Sequence, residues 1–166
     1  MGHGDHTIAA ATHGDIAGIV ALQERNLRDN GGALSVRLTA AWFEAAIAEM
    51  PIMVARRDGR IVGYVVSSSI SSQAHIPIVR EMLRVHSGSP GAYIYGPVCV
   101  AEGERGRGVA AAMVEGLRRQ LPGREGFTFI RADNAVSREV HRKLGMQEAA
   151  HFTHDGTGYV VVAYCC

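Results

Sequence analysis

The chain has 166 residues, 47% of them hydrophobic and 20% charged, and a net charge of +1. That length and balance fit one globular domain with a sizeable core. The near-zero charge excludes a general pull toward nucleic acid or membrane, so any anion site must be local.

Thr7–Ala11 reads as a first strand. From Asp15 to Leu27, the residues Ile16, Ile19, Val20 and Leu27 share one helical stripe, and Asn30-Gly31-Gly32 breaks it. Thr39 is placed to cap a second helix, with Phe43, Ala46, Ile47 and Met50 on its apolar face and Pro51 as its stop. Ile52–Arg56 and Ile61–Ser68 flank Asp58-Gly59, which predicts a tight hairpin. Ser67–Gln73 reads as a polar loop, His75–Val85 as a short helix and His86–Gly91 as a loop. Ala92–Val100 reads as a strand whose Gly96-Pro97 marks an edge or a bulge.

Gly108–Leu121 is the clearest helix, with Val109, Ala112, Met113, Gly116, Leu117 and Leu121 on its buried stripe. Phe127–Arg131 is a strand. Ala135–Leu144 is a helix ended by Gly145, and Val136, Val140 and Leu144 are its expected docking face. Ala149–His154 and Tyr159–Tyr164 form a last hairpin around Asp155–Gly158. Hairpins plus one strand–helix–strand crossover predict an α/β fold with a sheet of mixed direction, in one domain over residues 1–166.

No apolar run approaches the length that spans a bilayer. Met1–His6 lacks the basic and apolar blocks of a signal peptide, so the cytosol is the expected compartment. Cys99, Cys165 and Cys166 then read as free thiols, with no zinc spacing among them. His151 and His154 point to opposite faces of their strand and make a poor metal pair, so no metal is expected.

The stretch Val98-Cys99-Val100-Ala101-Glu102-Gly103-Glu104-Arg105-Gly106-Arg107-Gly108-Val109-Ala110 joins a strand to a helix. A helix N-terminus leaves N–H groups unpaired and carries partial positive charge, both of which a phosphate satisfies. Small residues at 106, 108 and 110 let a phosphate approach the backbone, and Arg105 and Arg107 add charged donors. Arg105-x-x-Gly108-x-Ala110 resembles the [Gln/Arg]-x-x-Gly-x-[Gly/Ala] signature of the GNAT acetyltransferase superfamily. Asn134-x-x-Ser137-x-x-x-His141-x-Lys143-Leu144-Gly145-Met146 resembles that family's second cofactor motif, and the match covers about residues 92–146.

The resemblance implies a central mixed, mostly antiparallel sheet flanked by about four to five helices. It also implies acetyl transfer from acetyl-CoA to an amine by direct attack. Backbone groups of Val98 and Val100, in the strand Val98-Cys99-Val100, would pair with the pantetheine arm. The N–H groups of Arg105, Gly106, Arg107, Gly108, Val109 and Ala110 would cradle the pyrophosphate. Asn134, Ser137, His141 and Lys143 would serve the cofactor from the second motif. Many relatives have Tyr where this chain has His141, so His141 is the expected group that protonates or hydrogen-bonds the coenzyme A sulfur. Candidates for the amine's base are Tyr95, beside Tyr93 on its strand, Glu24, and Glu81 and His86 in a segment that would roof the pocket, with a water relay and no single base as the alternative. Cys99 reads as a core residue with no partner to activate it.

Two rival readings stand beside this one. A dinucleotide-binding oxidoreductase fits Gly106-x-Gly108-x-x-Ala111, with Asp133 as a ribose acid, but only one crossover follows the turn. A non-catalytic sensor of acetyl-CoA would share the fold. Trp42, His75, Tyr93, Tyr95 and Tyr159 suggest a partly aromatic acceptor pocket, so a small-molecule or amino-acid-like amine is the expected partner. The strand Tyr159–Tyr164 is a candidate dimer edge.

Overall fold

The computed structural model describes residues 5–31, 34 and 36–164. His3, Gly32, Cys165 and Cys166 lie outside them. The elements are β1 (Thr7–Ala10), α1 (Ile16–Arg25), α2 (Ala40–Glu49), β2 (Ile52–Arg57), β3 (Arg60–Ser69), α3 (Ile70–Gln73), α4 (Pro77–Val85), β4 (Tyr93–Val100), α5 (Val109–Gln120), β5 (Gly126–Arg131), α6 (Ala135–Lys143), β6 (Gln147–His154) and β7 (Thr157–Tyr164). The strands form a seven-stranded sheet in the order β1-β2-β3-β4-β5-β7-β6. The pairs β1–β2, β2–β3, β5–β7 and β6–β7 are antiparallel, and β4–β5 is parallel. The expected mixed α/β class, mostly antiparallel, is the observed one. The chain makes two compact units, Met1–Ser67 with Gly96–Gln120 and Ser68–Tyr95 with Leu121–Cys166.

In the first unit, Asp15 folds back on the entry to α1, accepting from the Thr12 backbone N–H at 2.8 Å and pairing with Arg56. Burial raises the Asp15 pKa, but the bonds from Thr12 and Arg56 outweigh it and leave the carboxyl below its ordinary value. Thr39 caps α2 as expected, its Oγ1 accepting from the Trp42 N–H at 3.0 Å. Asp58 and Gly59 both take positive φ, the turn that a two-residue hairpin needs. Ile16, Ile19 and Leu22 of α1 and Phe43 of α2 pack on Ile52, Val54, Tyr64, Val66 and Cys99. Burying each such aliphatic side chain contributes about 1.5–3 kcal/mol. Against β1 and β2, α5 approaches so closely that a Cβ on Gly116 would stand 3.0 Å from Ile8 and Met53.

In the second unit, Val79 and Met82 of α4 join Ile94, Phe127, Phe152 and Val161 in one core. Four expectations are corrected here. Ser67–Gln73 is not a loop: β3 runs to Ser69, whose Oγ accepts from Ser72 N–H and starts α3. The last hairpin turns in two residues, Asp155 and Gly156, both at positive φ, so its strands are longer than their apolar pattern. Strand β7 is not an edge, because it pairs with β5 on one side and β6 on the other. A dimer through Tyr159–Tyr164 therefore has no free backbone to use. Finally, Val136 and Val140 do not hold α6 down; they are 76% and 43% exposed. The helix turns its Ser137, His141 and Leu144 side inward instead.

Candidate functional site

In the first unit, β4 leads through a short turn at Glu102–Glu104 into the loop before α5. Gly106 and Gly108 take φ of 75° and 78°, a region that L side chains enter only at a cost. A Cβ on either would meet nothing within 4 Å, so the space above this loop is open. The loop ends at a twelve-residue helix, α5, whose first N–H groups have no partner within the helix.

The two arginines of the loop differ. Arg105 Nη2 donates to Asn26 Oδ1 at 2.8 Å and Arg105 Nε to the Val100 carbonyl at 3.2 Å, so its guanidinium anchors the loop to the end of α1. The exposed Arg107 makes no hydrogen bond or ion pair among the described residues. Glu104 is drawn back by His6 Nε2 at 2.8 Å and by Arg57 Nη1 at 3.0 Å. The His6 bond, then the Arg57 guanidinium, lower its pKa. Glu104, the acid next to Arg105, is thus held by two basic groups. Val98 and Val100 are half-buried, and Cys99 between them is in the core. Burial pushes the Cys99 thiol up to about 11, which keeps it protonated and inert near neutral pH.

In the second unit, Asn134 caps α6: its Oδ1 accepts from Ser137 N–H at 3.0 Å. His141 Nδ1 lies 2.7 Å from the Ser137 carbonyl oxygen. Its ring meets Tyr95 edge to face, at 5.8 Å between centroids. Burial lowers the His141 pKa, and the Ser137 bond only partly restores it. Tyr95 is 1% exposed, and its hydroxyl has no hydrogen-bond partner among the described residues. Burial raises the Tyr95 pKa far above its ordinary value. Behind Tyr95 stands Tyr164, whose hydroxyl bonds that of Tyr93. Lys143 is exposed at the end of α6.

The other candidates are engaged in place. Glu24 is bound by both ends of the Arg37 fork, at 2.8 and 3.1 Å. Glu81 pairs with Arg84, and His86 with Glu125. Asp133 takes the Arg131 fork. Asn26 and Tyr164 escaped the sequence reading. The period-2 alternation of β7 places Tyr164 on one face with Val160 and Val162, whereas nothing in the local pattern marks Asn26 as the anchor of Arg105. Among the described residues, no group of three His, Cys, Asp or Glu side chains is placed to hold a metal ion, and no helix is long and apolar enough to cross a membrane.

The family model described as acetyltransferase (GNAT) family matches residues 16–146. No match was found among curated proteins. Among solved structures, an N-acetyltransferase from Staphylococcus aureus Mu50 aligns with a TM-score of 0.70 at 19% identity, covering 97% of this chain and 98% of that one. A ribosomal-protein-alanine N-acetyltransferase from Brucella melitensis aligns at 0.67 and 19% identity, covering 96% and 99%. A Salmonella typhimurium structure, described as an acetyltransferase with its cofactor acetyl-CoA, aligns at 0.69 and 18% identity, covering 97% and 94%. At these identities the likeness is one of fold.

Proposed function

The chain belongs to the GNAT acetyltransferase family, and from that premise we propose that it moves an acetyl group from acetyl-CoA to a primary amine of a small or amino-acid-like molecule. The family match takes in parts of both units, which supports reading residues 1–166 as one acetyltransferase domain. The observation that carries the cofactor reading is the loop before α5. Two glycines at positive φ, with open space where a side chain would stand, precede the first N–H groups of α5, which have no partner within the helix. That is a cradle for a pyrophosphate.

In this reading the N–H groups of Arg105–Ala110 bind the diphosphate and Arg107 supplies its free guanidinium. Arg105 holds the loop in shape. The backbone of Val98 and Val100 aligns the pantetheine arm as an added strand would. The second motif assigns Asn134, Ser137, His141 and Lys143 to the same cofactor, with His141 as the group that serves the sulfur. Acetyl-CoA supplies a thioester whose carbonyl an amine attacks. The protein holds the reactants at attack distance and keeps the amine neutral. In this reading Cys99, a buried thiol, carries no acyl group and the amine attacks the thioester directly. The ion-paired Glu24 is a weaker base candidate than its sequence position suggests.

Calorimetry with acetyl-CoA, followed by thiol release with a panel of amines, tests this. Acetyl-CoA is expected to bind and raise Tm while NAD(H) does neither. Tight binding with no thiol release from any amine would leave a sensor, and absence of binding would remove the cofactor reading.

A further inference from the structure

The sequence motif gives His141 a place; its hydrogen bonding fixes which ring nitrogen carries a hydrogen. A carbonyl oxygen only accepts, so the 2.7 Å contact to Ser137 requires a hydrogen on Nδ1. A flipped ring would set a carbon at that distance, well inside the roughly 3.3 Å of even a close C–H···O contact. A neutral imidazole with its hydrogen on Nδ1 carries its lone pair on Nε2. That nitrogen has no hydrogen-bond partner among the described residues. Burial favours the neutral ring.

The surroundings hold this state. Tyr95 of β4 is the titratable group packed on the ring, with Tyr164 of β7 behind it. The Tyr95 phenol stays protonated, so it takes no proton from a substrate. On α6, Glu139 pairs with Arg142, and Arg138 pairs with Glu148 of β6, while Lys143 is exposed. None of these charges contributes to the shift at His141, whose causes are burial and the Ser137 bond.

We propose that His141 enters the reaction as a proton acceptor at Nε2 and returns the proton at the end, instead of starting as an acid. The inference rests on the acyl-transfer reading above. The amine nitrogen's lone pair forms the new C–N bond. The N–H proton passes to Nε2, directly or through one water, and the imidazolium keeps its Nδ1–H on the Ser137 carbonyl. The C–S bond breaks with its electrons on sulfur. The proton on Nε2 then passes to the thiolate. Amine and thioester give amide and thiol, and His141 is restored. Tyr95 is a positioning residue in this scheme, its ring fixing the plane of the imidazole.

Two measurements decide it. The first is the nitrogen-15 long-range NMR spectrum of histidine-labelled full-length protein without ligand at neutral pH, with His141 assigned by its loss in His141→Gln. The expected pattern is a hydrogen on Nδ1 and a bare Nε2; a hydrogen on Nε2 overturns the proposal. The second is kcat/KM against pH with acetyl-CoA and the best amine of the panel. In the wild type it falls on the acid side as His141 takes up a proton. His141→Gln is expected to lose about 10²–10⁴ in kcat/KM and to lose the part of that limb that belongs to His141. An unchanged acid limb in His141→Gln overturns the proposal. If no amine releases thiol, the transfer reading fails and takes this role with it, while the NMR result still reports the state of the ring.

Discussion

Arg105 and Asn26 complete one another. Asn26 is 6% exposed, its Nδ2 donates to the Leu22 carbonyl at 2.8 Å, and its Oδ1 accepts from Arg105 Nη2 at 2.8 Å. Arg105→Ala leaves a buried acceptor unpaired, which costs about 1–3 kcal/mol. Asn26→Ala removes the same bond from the other side, so the double variant is expected to cost about 1 kcal/mol less than the sum of the singles. Denaturant melts of the four proteins measure this. For acetyl-CoA, the two single variants are expected to weaken binding by similar factors, and Arg107→Ala by more. If Arg105→Ala weakens binding far beyond Asn26→Ala, the Arg105 guanidinium touches the ligand.

Gly108 separates backbone strain from ligand contact. Its φ of 78° makes an alanine there cost about 1–2 kcal/mol of stability, although no atom blocks the methyl group. The same methyl projects into the space proposed for the diphosphate. Gly108→Ala is therefore expected to lose more than about tenfold in acetyl-CoA affinity, or over about 1.4 kcal/mol, as well as a modest part of its Tm. Gly103 also faces open space but is not at positive φ, so Gly103→Ala serves as the control and should change neither. Calorimetry on the folded variants gives the answer; equal affinities for the two would place the ligand elsewhere.

The elements legible in the sequence were those fixed by local chemistry. Thr39 caps because its hydroxyl sits three residues before a free N–H, and Asp58-Gly59 turns because both residues tolerate positive φ. The loop before α5 was legible for the same reason. What was hidden depends on choices among similar surfaces. On α6, Val136 and Val140 form an apolar stripe, yet the helix docks through Ser137, His141 and Leu144, one step around its circumference. The reason is local in part: His141 reaches back to the Ser137 carbonyl and packs on Tyr95. The direction of the Arg105 side chain depended on Asn26, which is 79 residues away. The place of β7 inside the sheet depended on pairings with two partners that no run of residues encodes.

Tyr95 and Tyr93 look alike in sequence but differ in bonding. Tyr93 Oη bonds Tyr164 Oη, whereas Tyr95 Oη is buried with no partner among the described residues. Removing an unsatisfied hydroxyl relieves a desolvation cost, while removing a satisfied one loses a bond. Tyr95→Phe is expected to leave Tm unchanged or raise stability by up to about 1–2 kcal/mol. Tyr93→Phe is expected to lower it by about 1 kcal/mol. Equal losses in the two would mean that Tyr95 has found an acceptor in solution.

Glu125 governs the acid stability of the loop before β4. Its Oε1 accepts from the Ser89 N–H at 2.8 Å and its Oε2 bonds His86 Nε2 at 2.5 Å. The His86 ring in turn packs on Phe127. Burial alone would raise the Glu125 pKa, but the Ser89 and His86 bonds outweigh it and hold the carboxyl below its ordinary value. A carboxyl with a depressed folded pKa binds protons more readily when unfolded. Its contribution is therefore present above the unfolded value and is lost as pH falls through the folded one. Asp15, Glu104, Glu139 and Glu148 are lowered as well and titrate in the same acid window, so the wild-type slope belongs to all of them. The difference between wild type and Glu125→Gln isolates Glu125. That variant is expected to lose about 1–3 kcal/mol at neutral pH and to show a shallower decline in stability below pH 4.5. Urea melts across the acid range measure both; parallel curves for the two proteins would mean that the carboxylate contributes no more than the amide that replaced it.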